Sequence, residues 1–229
     1  MIVHPTRPSS DGGSPISRHR VAVHGRWVDI WVTAADRWSL SVAGSRLAER
    51  LAADVLGVAR SSLRVAPLAP SGRPVVVCAA SAGDCGISIS HLRPRLADAP
   101  SSGSGLVAVA ACRSAQVGID LVVPAEVSAA SLSRFLTTTQ TATAADARDA
   151  VRLWAAKEAA YKAAALDEAF RPRRIVVERV SASGFRWSVD GRYHAVHGAG
   201  IFVVEDGHML AVAVADHIPS LSHGASPRP

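Results

Sequence analysis

Asp120 stands in the middle of an otherwise apolar run, Val117-Gly118-Ile119-Asp120-Leu121-Val122-Val123. A carboxylate between Ile and Leu is costly to bury unless it is paired, hydrogen-bonded or metal-bound. Strand alternation also permits it to point outward on a polar face. A second carboxylate, Glu158, follows 38 positions later in Trp154-Ala155-Ala156-Lys157-Glu158-Ala159-Ala160-Tyr161-Lys162. Of the 25 basic side chains, 23 are Arg, and both lysines, Lys157 and Lys162, fall in this nonapeptide. Ala-rich flanks and the absence of Gly or Pro from Thr137 to Phe170 predict a helix. Trp154, Glu158 and Lys162 then share one face. Taken alone, Glu158 and Lys162 form an ordinary exposed pair at i, i+4. Should a strand carrying Asp120 pack on this helix, two carboxylates would meet. One or two such groups, with substrate phosphates and water, are the usual setting for Mg²⁺.

The totals narrow the setting. A hydrophobic content of 48% against 19% charged residues describes a folded chain with an ample core rather than a disordered one. No apolar run approaches the roughly 18 residues that would mark a membrane-spanning helix, and the N-terminus lacks the apolar core of a secretory signal. Cys78, Cys85 and Cys112 are odd in number and lack metal-type spacing, which suits reduced thiols. A soluble cytoplasmic protein is expected. The net charge of +6 points to an anionic partner. A nucleic acid would fit that charge, but the arginines are scattered and form no block. Phosphorylated small molecules or an acidic protein fit as well. Walker-type loops, G-x-G-x-x-G and H-E-x-x-H are all missing. His194 and His197 have ligand-like spacing, with no further Cys/His cluster to complete a zinc site.

The elements that must position these residues read as follows. Residues 1–19, rich in Ser, Pro and Gly, predict a mobile leader, and the stretch from 218 to 229 a flexible tail. Arg20–Thr33 predicts one or two strands around a turn at His24-Gly25. Ser39–Val58 predicts an amphipathic helix, with Leu47, Leu51 and Val55 on one face. Strands are predicted at Leu63–Leu68, Val75–Ala79, Gly86–His91, Gly105–Cys112 and Gln116–Val123, with a long loop between Leu92 and Ser104. Helices at Val127–Thr137 and Ala144–Leu166 follow, then strands at Arg174–Val180, Phe185–Val189, Tyr193–Val204 and Met209–Ala215. The fold class is α+β, in two halves of like pattern, 20–115 and 116–217. Each half has a long helix and antiparallel-looking strands, and each closes on an Ala/Val strand, GLVAVAAC or HMLAVAVAD. The pattern predicts a duplicated unit, packed face to face around a cleft.

Gly118-Ile119-Asp120, then Arg134-Phe135, then Trp154-x-x-Lys157-Glu158-Ala159-x-x-Lys162, resembles the signature of 4′-phosphopantetheinyl transferases. The length and apparent duplication resemble the surfactin-type branch, in which one chain mimics a dimer. Gly72-Arg73-Pro74, Ser90-His91 and Ser45-Arg46 are similar to further elements of that branch. The resemblance implies coenzyme A as co-substrate in the cleft, with Mg²⁺ on Asp120 and Glu158. It implies Arg46, Arg73, Ser90 and His91 around the nucleotide phosphates, and Lys157 and Lys162 near the diphosphate. A serine of an acyl or peptidyl carrier protein, presenting an acidic helix, would take the phosphopantetheine arm and release 3′,5′-ADP. Asp120, Glu158 and Lys162 would be the catalytic set, with Glu158 or a water on the metal as the base. A monomer is implied, and neither nucleic acid nor membrane is a partner.

Two departures stand out. The family often has a second acid two positions after the motif Asp, and here that position is Val122. The family's Ser-His is often followed by another Ser and a tight turn; here Leu92 and the long loop replace them. These departures keep open a degenerate homologue that binds carrier protein or coenzyme A without catalysis.

Overall fold

The computed structural model describes residues 16–36, 39–69, 71–78, 84–93, 104–123, 135–136, 147–166, 168–179, 181–190, 196–205 and 207–216. The fold is α+β with antiparallel sheets. β1 (Ile16–Val23) and β2 (Arg26–Asp36) form a hairpin about His24-Gly25, followed by α1 (Leu40–Leu56). β3 (Leu63–Leu68) and β4 (Arg73–Cys78) make a separate two-stranded ribbon. β5 (Cys85–Leu92) and β6 (Ser104–Arg113) complete a four-stranded sheet of order β1-β2-β6-β5. β7 (Val117–Val122) opens the second part, followed by α2 (Ala147–Ala164), β8 (Ile175–Arg179), β9 (Gly184–Val189), β10 (His197–Glu205) and β11 (His208–Ala215). Their five-stranded sheet has the order β7-β11-β10-β9-β8.

Three apolar clusters fix the layering. α1 lays Leu40, Leu47, Leu51 and Leu56 on one face of the first sheet, against Trp31, Ile87, Val107 and Val109. The opposite face of that sheet (Val28, Ile30, Ala108, Ala110) meets Ile119, Leu121, Val212 and Val214 of the second. α2 covers the far face of the second sheet with Ala155, Ala156, Ala159, Ala160 and Ala163, all fully buried. The order is helix, sheet, sheet, helix. Period-2 alternation in β7 therefore sends Ile119 and Leu121 between the sheets, while Gly118, Asp120 and Val122 turn toward α2.

The described elements follow the sequence expectations with shifts at their ends. β1 starts at Ile16, within the stretch expected as a leader, because Ile16 is buried and pairs with Thr33. β4 starts at Arg73 and includes Pro74, tolerated because a two-stranded ribbon leaves each strand an unpaired edge. Of the helix expected at 127–137, only Phe135 and Leu136 are described, in a turn, and the rest lies outside the described residues. Phe135 packs on Trp154 with the rings tilted by 51°, at 4.5 Å between centroids. The expected helix at 144–166 is described over Ala147–Ala164, and Ala165 leaves it with a left-handed φ of 55°. Arg134, His194 and most of the loop after Leu92 fall outside the described residues.

Candidate functional site

β5 and β7 are the edges at which the two sheets meet. β5 sends Ile87 and Ile89 toward α1 and turns Ser88 and Ser90 to β7. There the hydroxyl of Ser88 accepts the Ile119 N–H, and that of Ser90 accepts the Leu121 N–H, each at 3.1 Å. The serines thus satisfy backbone donors that no strand pairs on this side of β7, donors that would be costly to leave bare. Ser90 also donates its hydroxyl proton to Asp120 Oδ1 at 3.1 Å.

Asp120 is buried, at 4% exposure, so the inward alternative holds and the outward one does not. Lys162 reaches it from α2: Nζ donates to the Ile119 carbonyl at 2.8 Å and to Asp120 Oδ1 at 3.2 Å. The other carboxylate oxygen, Oδ2, is shielded and has no partner among the described residues. Glu158, one turn before Lys162, sits close enough to Asp120 for that carboxylate to shift its titration. Burial, then the Asp120 charge and the shared proton, push its carboxyl up to about 8, against a smaller pull from Lys162. Two carboxyl groups this close cannot both ionise cheaply without a cation.

Gly118 sets the approach of α2. A Cβ there would lie 1.9 Å from the Ala159 carbonyl oxygen and 2.7 Å from the Ala163 amide nitrogen. Only hydrogen lets the helix backbone rest on β7, which puts Glu158 and Lys162 on either side of the next inward residue, Asp120. Gly44 plays the matching part on α1, where a Cβ would fall 2.7 Å from His91 Nε2. His91 therefore packs its ring on α1 while staying open to solvent on the other side. Burial and then the Lys162 charge hold its pKa below the ordinary histidine value, while the Leu40 carbonyl and Arg93 act more weakly in opposite senses.

The structure thus brings together Asp120, Glu158, Lys162, Ser90 and His91. Ser90 spends its donor on Asp120 and accepts from β7, so it orients the carboxylate instead of offering its proton to a nucleotide. Arg46 lies on the exposed side of α1, and Arg73 opens β4 in the separate ribbon; neither bonds to the cluster. Arg73 Nη1 is shielded and has no partner among the described residues. Lys157 is the correction. It is fully buried, and its Nζ donates to the Pro172 carbonyl at 2.7 Å and the Ile175 carbonyl at 2.8 Å. It faces away from its neighbour Glu158 and ties α2 to the segment entering β8. Burial lowers its pKa to about 8. Sequence reading missed Ser88 and Gly44; the alternating Ser88, Ser90 in an Ile-bearing strand was the available signal for the first.

The Lys157 tie has a measurable consequence. Lys157→Met keeps the length but leaves two carbonyls without their donor, and hydrogen bonds to charged groups are worth about 1.5–3 kcal/mol each before the desolvation of the ammonium is offset. A net loss of about 2 kcal/mol in urea unfolding is expected; unchanged stability would remove this structural role.

The donor set fits a divalent cation with limits. Asp120 Oδ2 is a buried oxygen without a partner among the described residues, and Glu158 is a carboxyl forced toward neutrality by burial and then by its neighbour, as expected where a cation would sit between them. Among the described residues no third His, Cys, Asp or Glu joins them, and Val122 is buried in the apolar cluster under α2. No curated protein matches the chain. The family model described as ACPS, 4′-phosphopantetheinyl transferase superfamily, matches residues 116–204, the span from the strand of Asp120 through α2 to β10.

Proposed function

We propose that this chain transfers the 4′-phosphopantetheine arm of coenzyme A to a serine of an acyl or peptidyl carrier protein, releasing 3′,5′-ADP. The observation that carries the reading is the pairing of Asp120 with Glu158 and Lys162 across Gly118, inside the span that matches the transferase superfamily. Asp120 and Glu158 would hold Mg²⁺, which when bound neutralises diphosphate charge and helps order the donor. The residues of the chain do the rest. Lys162, pinned by Ile119 and Asp120, has one further N–H to give a phosphate oxygen. His91 offers a neutral ring at the mouth of the cluster, and Arg73 Nη1 an unspent donor for a nucleotide phosphate. The carrier hydroxyl forms its bond to the β-phosphorus as the bond to the 3′,5′-ADP oxygen breaks. Glu158 accepts the serine proton. Catalysis of this kind is positioning and charge stabilisation with little covalent work for the protein.

We read the molecule as a pseudo-dimer of the surfactin-type branch that works as a cytoplasmic monomer. The edges that meet, β5 and β7, hold the same place in their sheets, each beside its Ala/Val closing strand, β6 or β11. A helix backs each sheet. One half thus gives the other the surface a second copy would supply.

The experiment is incubation with coenzyme A, Mg²⁺ and a panel of apo-carrier proteins, read by intact mass. One added phosphopantetheine on a carrier is the expected result. Coenzyme A binding with no mass gain on any carrier would favour the binding-only homologue, the reading that Val122 in place of an acid supports.

A further inference from the structure

The far end of α1 closes a second, unrelated groove. Where Leu51, Asp54 and Val55 pass over the β1–β2 hairpin, an open cavity of about 620 Å³ is lined by Arg18, Arg20, Arg26 and Arg113 with Trp27 and Trp31 beneath. The 1.5 Å helical rise puts Leu51–Val55 about 10–16 Å along α1 from Gly44, where His91 packs. The groove is therefore not part of the Asp120 cluster.

Its chemistry is a set of guanidinium groups laid on indoles. Arg18 lies 4.3 Å above Trp31, and Arg50 5.9 Å from the same ring. Arg20 lies 5.5 Å from Trp27. A stacked guanidinium is held flat with its N–H edge turned outward, the geometry that meets a carboxylate in a two-point bond. Arg18 and Arg113 have no ionic partner among the described residues, and Arg18 Nε is shielded and unpaired. Among the described residues, Arg20 has one ionic contact, a long one to Asp29 at 3.7 Å. Four arginines against two aspartates, Asp29 and Asp54, leave a positive surplus.

We propose that this groove binds an acidic peptide segment of a partner protein. Carboxylates at alternate positions would take the outward edges of Arg18, Arg20 and Arg113, while Asp29 and Asp54 accept backbone N–H groups of the same segment. A nucleic acid fits less well. Trp31 has its surface taken by arginines, which leaves little indole face for base stacking, and two carboxylates inside the groove oppose a phosphate backbone. Trp27, 46% exposed, gives the segment an apolar floor. The inference does not depend on the transfer reaction, since the groove and the cluster share no residue.

The test is fluorescence anisotropy of a labelled oligo-glutamate peptide titrated with the full chain at low salt, with no coenzyme A present. Labelled oligo-lysine and oligothymidylate serve as comparisons. Saturable binding of the acidic peptide is expected, weakening about tenfold in the double variant Arg20→Gln/Arg113→Gln and falling as salt rises. Both side chains are exposed, so the variant should fold, which circular dichroism checks; Trp27→Ser is the second variant and should weaken binding without altering charge. No binding of the acidic peptide, equal binding by the folded variants, or tighter binding of oligothymidylate would overturn the proposal.

Discussion

Glu158→Gln is expected to abolish transfer while making the metal-free protein more stable at alkaline pH. The two effects have one cause. Burial and Asp120 raise the Glu158 carboxyl from 4.5 to about 8, so the folded state holds a proton there that the unfolded chain has lost. That stabilisation is complete below about 4.5 and is lost as pH rises through about 8. Glutamine has the shape of the neutral acid and does not ionise, so the variant should not show this loss. At pH 9 we expect it to exceed the parent by on the order of 1–3 kcal/mol, after discounting for partial solvent access. Transfer should fall at least about 10²–10³-fold, because glutamine neither takes the serine proton nor supplies the anionic oxygen that would help hold the cation. Mg²⁺ should raise the melting temperature of the parent at pH 8 and have little effect on the variant. Full activity in Glu158→Gln would sink the site assignment, and a variant that loses stability at pH 9 would show that the carboxylates do not repel.

The sequence reading succeeded where one residue type had one physical use. Asp120 among Val, Ile and Leu had to be outside or paired, and the lysine four residues after Glu158 named a helix face. What one chain could not show was which of two like residues faces the cleft. Lys157 and Lys162 share a segment and a charge, yet five positions on a helix amount to about 140° of rotation. That rotation sends one ammonium to Asp120 and the other to the carbonyls of Pro172 and Ile175. The resemblance puts Ser90 beside the nucleotide together with His91, as one Ser-His element. Strand alternation puts the two on opposite faces, and the partner of Ser90 turned out to be Asp120. The Arg–Trp groove was illegible for a different reason: its arginines come from β1, β2 and β6, which only pairing brings side by side.

Gly118→Ala tests how finely the site depends on backbone packing. The added methyl would sit 1.9 Å from the Ala159 carbonyl oxygen, and a helix backbone, unlike a side-chain tip, cannot rotate out of the way. α2 must shift bodily from β7, breaking the apolar contacts of five fully buried alanines. Overpacking a close-packed core costs about 1–3 kcal/mol and more against rigid backbone, so urea unfolding should show a loss of about 3 kcal/mol. The shift also carries Glu158 and Lys162 away from Asp120, and a displacement of about 1 Å in a positioned group can cost 10²-fold in rate. Ala211 and Ala213 offer the contrast, since they already present methyl groups to α2 from β11 at the same depth. At Gly118 the strand meets the helix backbone itself, with 1.9 Å between where a Cβ would lie and the Ala159 carbonyl oxygen, next to the position that carries Asp120. A Gly118→Ala protein with native stability and rate would mean that α2 does not rest on β7, and the pairing of Asp120 with Glu158 would lose its support.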